Sequence, residues 1–340
     1  MSRTARGAGR TCLAVLTAVA TVMAAAGPVF GYLKLGSRVQ DRTVTLEWRD
    51  FPIRYFITDR SGGGVSPQQF ENAVTRAFNT WNAVETAGTS SQFVGFTQAT
   101  PGADDGMNVI GYLNRPEMER VLGATSFLID VTNGEIVESD IFFNSAFQWS
   151  TAASGETGRF DVESIALHEI GHLLGLGHSA LGETEMRPGG RRVLGAEAVM
   201  FPIAFSAGDI SDRSLRADDI AGLSDIYPEA EFRRRRGSIS GKVTKNGTGV
   251  LGAHVVAYNP RTGNLVGGFS LNQDGSFTIG GLDAGPHVLR AEPLDDGDIE
   301  SFLDRSLDVD VDFGVKFHDQ VVIVPRGGGA ANVEIRVTPK

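Results

Sequence analysis

The chain has 340 residues, enough for two domains, and its 41% hydrophobic and 21% charged content is ordinary for a folded, water-soluble protein. A formal net charge of −10 argues against nucleic acid or an anionic membrane as partner, since both need a basic surface opposite them. The single cysteine, Cys12, leaves no disulfide to form within the chain, so the fold must rest on core packing and bound metal.

Residues 1–31 have the layout of a secretory signal peptide. Arg3, Arg6 and Arg10 make a cationic start, an apolar run follows over 13–26, and small residues arrive at 24–26, with a second candidate cleavage point at 29–31. Export to the extracellular space is therefore expected. The alternative is an N-terminal membrane anchor, against which the run falls short of the roughly 20 residues a span requires. No other stretch of that length is apolar, so no span is expected in the mature chain.

Residues 43–46 and 53–57 are expected as strand, ending at the glycine-rich turn 61–64. Ser66 then offers a helix cap, Pro67 suits the first turn, and Gln69 completes a capping box. Phe70, Ala73, Val74, Ala77, Phe78 and Trp81 follow at the spacing of one buried helical face. Short strands are expected at 107–112, 124–131 and 136–143, with Asn133-Gly134 as a hairpin turn between the last two. A second helix should run from Asp161 or Glu163 to Leu174 and stop at Gly175, and a third should span 217–226 before Pro228. This order predicts an α+β domain over 32–228, a mixed twisted sheet packed against three helices.

The segment 229–236 reads as a linker, because Arg233, Arg234, Arg235 and Arg236 repel one another and favour solvent. A processing site for a trypsin-like protease is the other reading of the same four residues. Over 237–340 the helical period is lost. Short strands at 255–258, 275–279, 288–291, 321–324 and 333–337 alternate with turn residues such as Asn259-Pro260 and Asp274-Gly275, which predicts an all-β sandwich. His254, His287 and His318 stand apart from one another and are expected to be surface or internally satisfied histidines.

The residues that carry chemistry are His168, Glu169, His172 and His178. His168 and His172 are four apart on the predicted helix, so their imidazoles share one face one turn apart. Gly175 ends that helix and allows the chain to turn back and aim His178 at the same point. Three neutral imidazoles suit Zn2+ and leave a fourth position for water, the arrangement of a catalytic rather than a structural zinc. Glu169, beside the first ligand, is placed to take a proton from that water as it attacks a peptide carbonyl. The run matches the extended H-E-x-x-H-x-x-G-x-x-H pattern of zinc peptidases. One catalytic zinc and a protein or peptide substrate are therefore expected.

With Ser179 directly after the third histidine, the motif resembles the matrixins, a branch of the metzincins with a zincin-like fold. The resemblance extends over about 45–228. It implies that Met200, in the run 198–202, forms the turn beneath the metal site, that 215–228 forms the closing helix, that 123–127 lines the cleft, and that Pro202 and Ile203 wall the pocket for the side chain after the scissile bond. Three departures stand out. The stretch between His178 and Met200 is long and rich in Gly and Arg, no His precedes His168 to serve a second zinc, and the one cysteine cannot act as a latency switch. Calcium ions accord with the resemblance, but scattered Asp residues assign no site to them. Residues 237–340 resemble the carboxypeptidase regulatory-like domain, a transthyretin-like sandwich, at 239–243, 252–257 and 274–282. A secreted endopeptidase is the reading these features favour. An adhesion or matrix-binding protein, with the sandwich functional and the peptidase fold a scaffold, is the alternative.

Overall fold

The computed structural model describes residues 16–17, 34–39, 42–188, 190–303 and 307–340. The expected signal peptide, Cys12 included, lies outside the described residues apart from Leu16 and Thr17.

An antiparallel ribbon of β1 (Gly36–Val39) and β2 (Arg42–Thr45) leads into β3 (Ile53–Thr58), the first central strand. Helix α1 (Pro67–Asn82) begins as its sequence dictates. The Ser66 hydroxyl accepts from the Gln69 amide at 3.3 Å, and the Gln69 side chain accepts from the Ser66 amide at 3.1 Å. Its apolar stripe is fully used: Phe70, Ala73, Val74, Ala77, Phe78 and Trp81 are all buried, and the Phe78 ring stacks on Tyr55 of β3 at 4.2 Å.

Strands β4 (Ser91–Thr97), β5 (Asn108–Leu113), β6 (Gly123–Asp130) and β7 (Glu135–Asn144) complete the sheet. From one edge the order is β6-β7-β5-β3-β4, with every pair parallel except the hairpin β6–β7. β6 is thus the antiparallel margin of a parallel sheet, and Leu16–Thr17 pairs antiparallel with its outer edge. The second helix, α2 (Val162–Leu173), packs on β6, β7 and α1. The Trp81 indole N–H donates to the carbonyl of Leu167 at 2.8 Å and that of Trp48 to Leu173 at 2.8 Å, so two tryptophans set the rotation of α2.

Between α2 and the closing helix α3 (Ala217–Ile226) lies an antiparallel hairpin, β8 (Gly182–Arg187) and β9 (Gly190–Ala196). The Gly/Arg-rich stretch that looked like a long loop is therefore a two-stranded arm. In the Arg run, Arg233, Arg234 and Arg235 are exposed to solvent. Phe232–Arg235 forms one helical turn, α4, with Phe232 buried and Arg236 ion-paired to Asp283. The Phe232 ring supplies the apolar anchor that four charges alone would not.

The remaining strands form two sheets. β10 (Gly237–Lys245) lies between β13 (Ser276–Leu282) and β17 (Gly329–Val337); β11 (His254–Tyr258) lies between β12 (Leu265–Phe269) and β14 (Gly285–Glu292), which also pairs with β15 (Lys316–Phe317) and β16 (Val322–Val324). Ile239, Val243, Phe277, Ile279 and Ile335 from the first sheet and Val255, Ala257, Leu289 and Ala291 from the second are buried in one cluster that continues into α3. His287 is buried and His318 is half-buried; His254 is buried and pairs through Nδ1 with Glu292 at 2.9 Å.

Candidate metal centre

Helix α2 carries its own start signal. Asp161 caps it by accepting from the Ser164 amide at 2.9 Å, and Arg213 braces that carboxylate through two N–H groups at 2.9 and 2.6 Å. The helix then delivers His168 and His172 on one face with ring centroids 4.8 Å apart. It stops at Gly175, whose φ of +94° belongs to the left-handed region that glycine occupies without steric cost. The Gly175 amide donates to His172 O at 2.7 Å and the Leu176 amide to Gly171 O at 3.0 Å, closing the helix end. The reversed chain brings the His178 ring to 4.7 Å from His172 and 5.3 Å from His168.

The tautomers follow from the partners. Each Nδ1 faces a backbone carbonyl, which can only accept: Val199 O at 2.7 Å for His168, Leu176 O at 2.8 Å for His172 and Ser301 O at 2.6 Å for His178. Nδ1 therefore carries the proton in all three rings, and each Nε2 keeps a lone pair. The Nε2 atoms of His172 and His178 sit 3.1 Å apart, two acceptors with no proton to share. Burial holds all three imidazoles below their usual range, His178 at about 3; the His178 and His168 rings oppose protonation further in His172, and the His168 ring does so in His178. Three converging lone pairs that resist protonation repel one another unless a cation lies among them. The donor set fits zinc, and it is the one group of three or more metal-ligating side chains within mutual reach among the described residues, all ligand atoms lying within 4.8 Å.

The Glu169 carboxyl meets β6. Thr125 of β6 donates its hydroxyl to Glu169 Oε2 at 2.8 Å and to the Glu169 carbonyl at 3.0 Å. Oε1 faces Gly123, where a Cβ would stand 3.1 Å away. Burial pushes the Glu169 carboxyl up to about 7, against the pull of the Thr125 hydrogen bond.

Comparison with known proteins bears on the whole of this region. The matrixin family model matches residues 47–228, more than half of the chain. The chain belongs to the matrixin family. It is similar to a Metalloendoproteinase 1 of Glycine max, 29% identical over 177 residues covering 46% of this chain and 45% of that one. It is also similar to a Metalloendoproteinase 2-MMP of Arabidopsis thaliana, 33% identical over 129 residues covering 36% and 31% of the two chains. The Stromelysin-1 of Mus musculus is 26% identical over 182 residues, 53% of this chain and 33% of that one. The chain thus spans less than half the length of these relatives.

In this matrixin, Met200 is buried beneath α2. A Cβ at Gly171 would stand 2.2 Å from Met200 Sδ, so the glycine between Ile170 and His172 is the seat for that sulfur. The turn at Met200 is held from α3, where Asp219 accepts the amides of Val199 at 2.9 Å, Met200 at 3.1 Å and Arg216 at 2.8 Å. The Val199 carbonyl in the same turn is the acceptor for His168. The neighbouring Asp218 accepts the Ser179 hydroxyl at 2.6 Å and the Gly267 amide, in β12, at 2.8 Å. The sequence placed Thr125 in the expected cleft-lining segment and Asp218 and Asp219 in the expected closing helix, but gave none of them a partner. Asp219 alone carried a signal, its place three residues after the helix cap Arg216.

Burial pushes Asp218 up to about 7 and Asp219 to about 6. Because the folded carboxyl holds its proton to higher pH than the unfolded one, its contribution favours folding at acid pH and is lost as pH rises through the folded value. Asp218→Asn removes that dependence. Across about pH 4 to 7 the stability of the wild type relative to Asp218→Asn is expected to fall, read as a narrowing gap in urea midpoints; a constant gap would mean that Asp218 is ionised throughout.

Ile203 packs against a cluster with Ala180, Phe201, Phe302 and Leu303. A small cavity of about 20 Å³ beside α2 is lined by Ile165 with Ala204, Phe205 and Ser206. Two acidic residues of β7 hold the loop that precedes β5. Asp140 accepts the amides of Gly102 at 2.5 Å and Val109 at 2.6 Å, and Glu138 accepts that of Gly106 at 2.5 Å. These lone pairs face N–H donors, so the loop is tied by carboxylates and calcium stays unassigned.

Proposed function

We propose that the chain is a secreted zinc-dependent endopeptidase, with His168, His172 and His178 as metal ligands, Glu169 as general base and Met200 as the turn supporting the site. The observation that carries this reading is the convergence of three unprotonated Nε2 atoms beside a buried carboxylate held by Thr125. Zinc, when bound, supplies positive charge that polarises the scissile carbonyl and acidifies water. Thr125 occupies Oε2 of Glu169 and leaves Oε1 to take the proton of the attacking water and return it to the leaving amine. Gly123, with no side chain, keeps Oε1 reachable.

The outer edge of β6 accepts an antiparallel segment at Ser126 and Phe127, next to Thr125, which supports an extended peptide as the substrate form. We further assign residues 1–31 to a signal peptide, 32–228 to the peptidase domain and 237–340 to a second, carboxypeptidase regulatory-like sandwich. Dialysis against a strong chelator is expected to abolish peptide cleavage by the purified protein, and one equivalent of zinc to restore it. Cleavage that survives complete removal of metal would rule out the reading.

A further inference from the structure

Two of the three imidazoles find their carbonyl partner inside the peptidase region, His168 at Val199 and His172 at Leu176. The third does not. His178 Nδ1 bonds at 2.6 Å to the carbonyl of Ser301, a residue 123 positions further on, within the sandwich half of the chain. Ser301 ends a 3-10 turn (Ile299–Ser301), and the amides of Phe302 and Leu303 both close back on Ile299 O, at 2.9 and 2.8 Å. The carbonyl that meets His178 is thereby fixed on a short rigid turn.

That turn is fastened to the peptidase region at several points. Phe302 and Leu303, each 1% exposed, share a buried cluster with Ala180, two residues after His178, and Phe201, directly after Met200. The hairpin arm grips the segment before the turn. The Thr184 amide donates to Asp296 Oδ1 at 2.6 Å, the Thr184 hydroxyl to Asp296 O at 2.9 Å, and Arg191 to Asp295 O at 2.9 Å. On the other flank, Asp218 bridges Ser179, beside His178, to the Gly267 amide of the sandwich.

We infer that residues 293–303 of the sandwich are a structural part of the metal centre, with Ser301 as the positioning residue for His178 and Phe302 as the anchor that keeps the Ser301 carbonyl in place. The inference rests on the reading of the three histidines as zinc ligands. A ligating histidine that loses the acceptor of its second N–H loses its fixed tautomer and ring direction, and metal affinity drops by about 10- to 100-fold. Docking of the sandwich and binding of zinc are thus linked, and each strengthens the other by the same factor.

The test uses the full chain, with zinc affinity read by competition against a chromophoric chelator and folding checked by circular dichroism. Phe302→Ala is expected to weaken zinc by about tenfold or more, Phe302→Leu to stay near wild type, and Ile335→Ala, which opens a buried site among sandwich residues that do not touch the turn, to change affinity by less than about twofold. Should Phe302→Ala fail to fold, Thr184→Val takes its place, since it loosens the grip on Asp296 while leaving the core filled. The inference is overturned if the folded variant keeps wild-type affinity, or if Ile335→Ala weakens zinc equally. A wild type that binds no zinc, or that binds it unchanged in His178→Ala, overturns the underlying site assignment as well.

Discussion

Glu169→Gln is expected to lower kcat/KM for peptide cleavage by about a thousandfold, within the range a general base supplies, while the bound zinc remains at one per chain. The substitution is nearly isosteric, and the amide oxygen can still accept from Thr125, so the geometry around the rings is kept and only the proton acceptor is removed. Thr125→Val removes the hydroxyl that holds Oε2 and leaves Glu169 itself in place. It should cost about tenfold in kcat with KM little changed, because the base is then free to rotate rather than absent. Steady-state kinetics with zinc content measured on the same samples separates the two effects. Glu169→Gln activity within about tenfold of wild type would assign the proton transfer to another group.

Gly175→Ala should be strongly damaging for a single added methyl. At φ +94° an L-residue costs about 1–2 kcal/mol, and the new Cβ would stand 2.4 Å from the Leu46 carbonyl oxygen, a backbone atom with little room to yield. Overpacking of that kind adds about 1–3 kcal/mol, so a total near 3 kcal/mol and a melting temperature lower by about 10 °C are expected. The same turn carries the chain to His178, so zinc affinity should fall as well. Differential scanning calorimetry of the zinc-loaded and chelated variant measures both. A melting temperature within about 2 °C of wild type would mean that the turn has an alternative that the native geometry conceals.

The parts of the fold visible in the sequence are those written in local spacing. The capping box at Ser66, the stripe from Phe70 to Trp81, the four-residue separation of His168 and His172, and the break at Gly175 each lie within a few turns of chain, and the helices form where these signals stand. What stayed hidden is long-range and mostly backbone. The acceptors for His168 and His178 are carbonyls 31 and 123 residues away, and a carbonyl has no side-chain signature to read. The hairpin Gly182–Arg187 and Gly190–Ala196 was invisible for a different reason: its strands cover no continuous apolar face, so no alternation marks them. Thr125 and Asp218 look like any strand threonine and helix-start aspartate until the sheet and the sandwich bring their partners to them.

The four-arginine turn sits between two bodies already stitched together elsewhere. Thr184 with Asp296, Asp218 with Gly267, and the cluster of Phe201 with Phe302 all span the junction without using residues 233–236. A protease that clips the chain at these arginines would therefore produce two polypeptides in one particle, like a zymogen nicked but not separated, and His178 would retain its partner across the break.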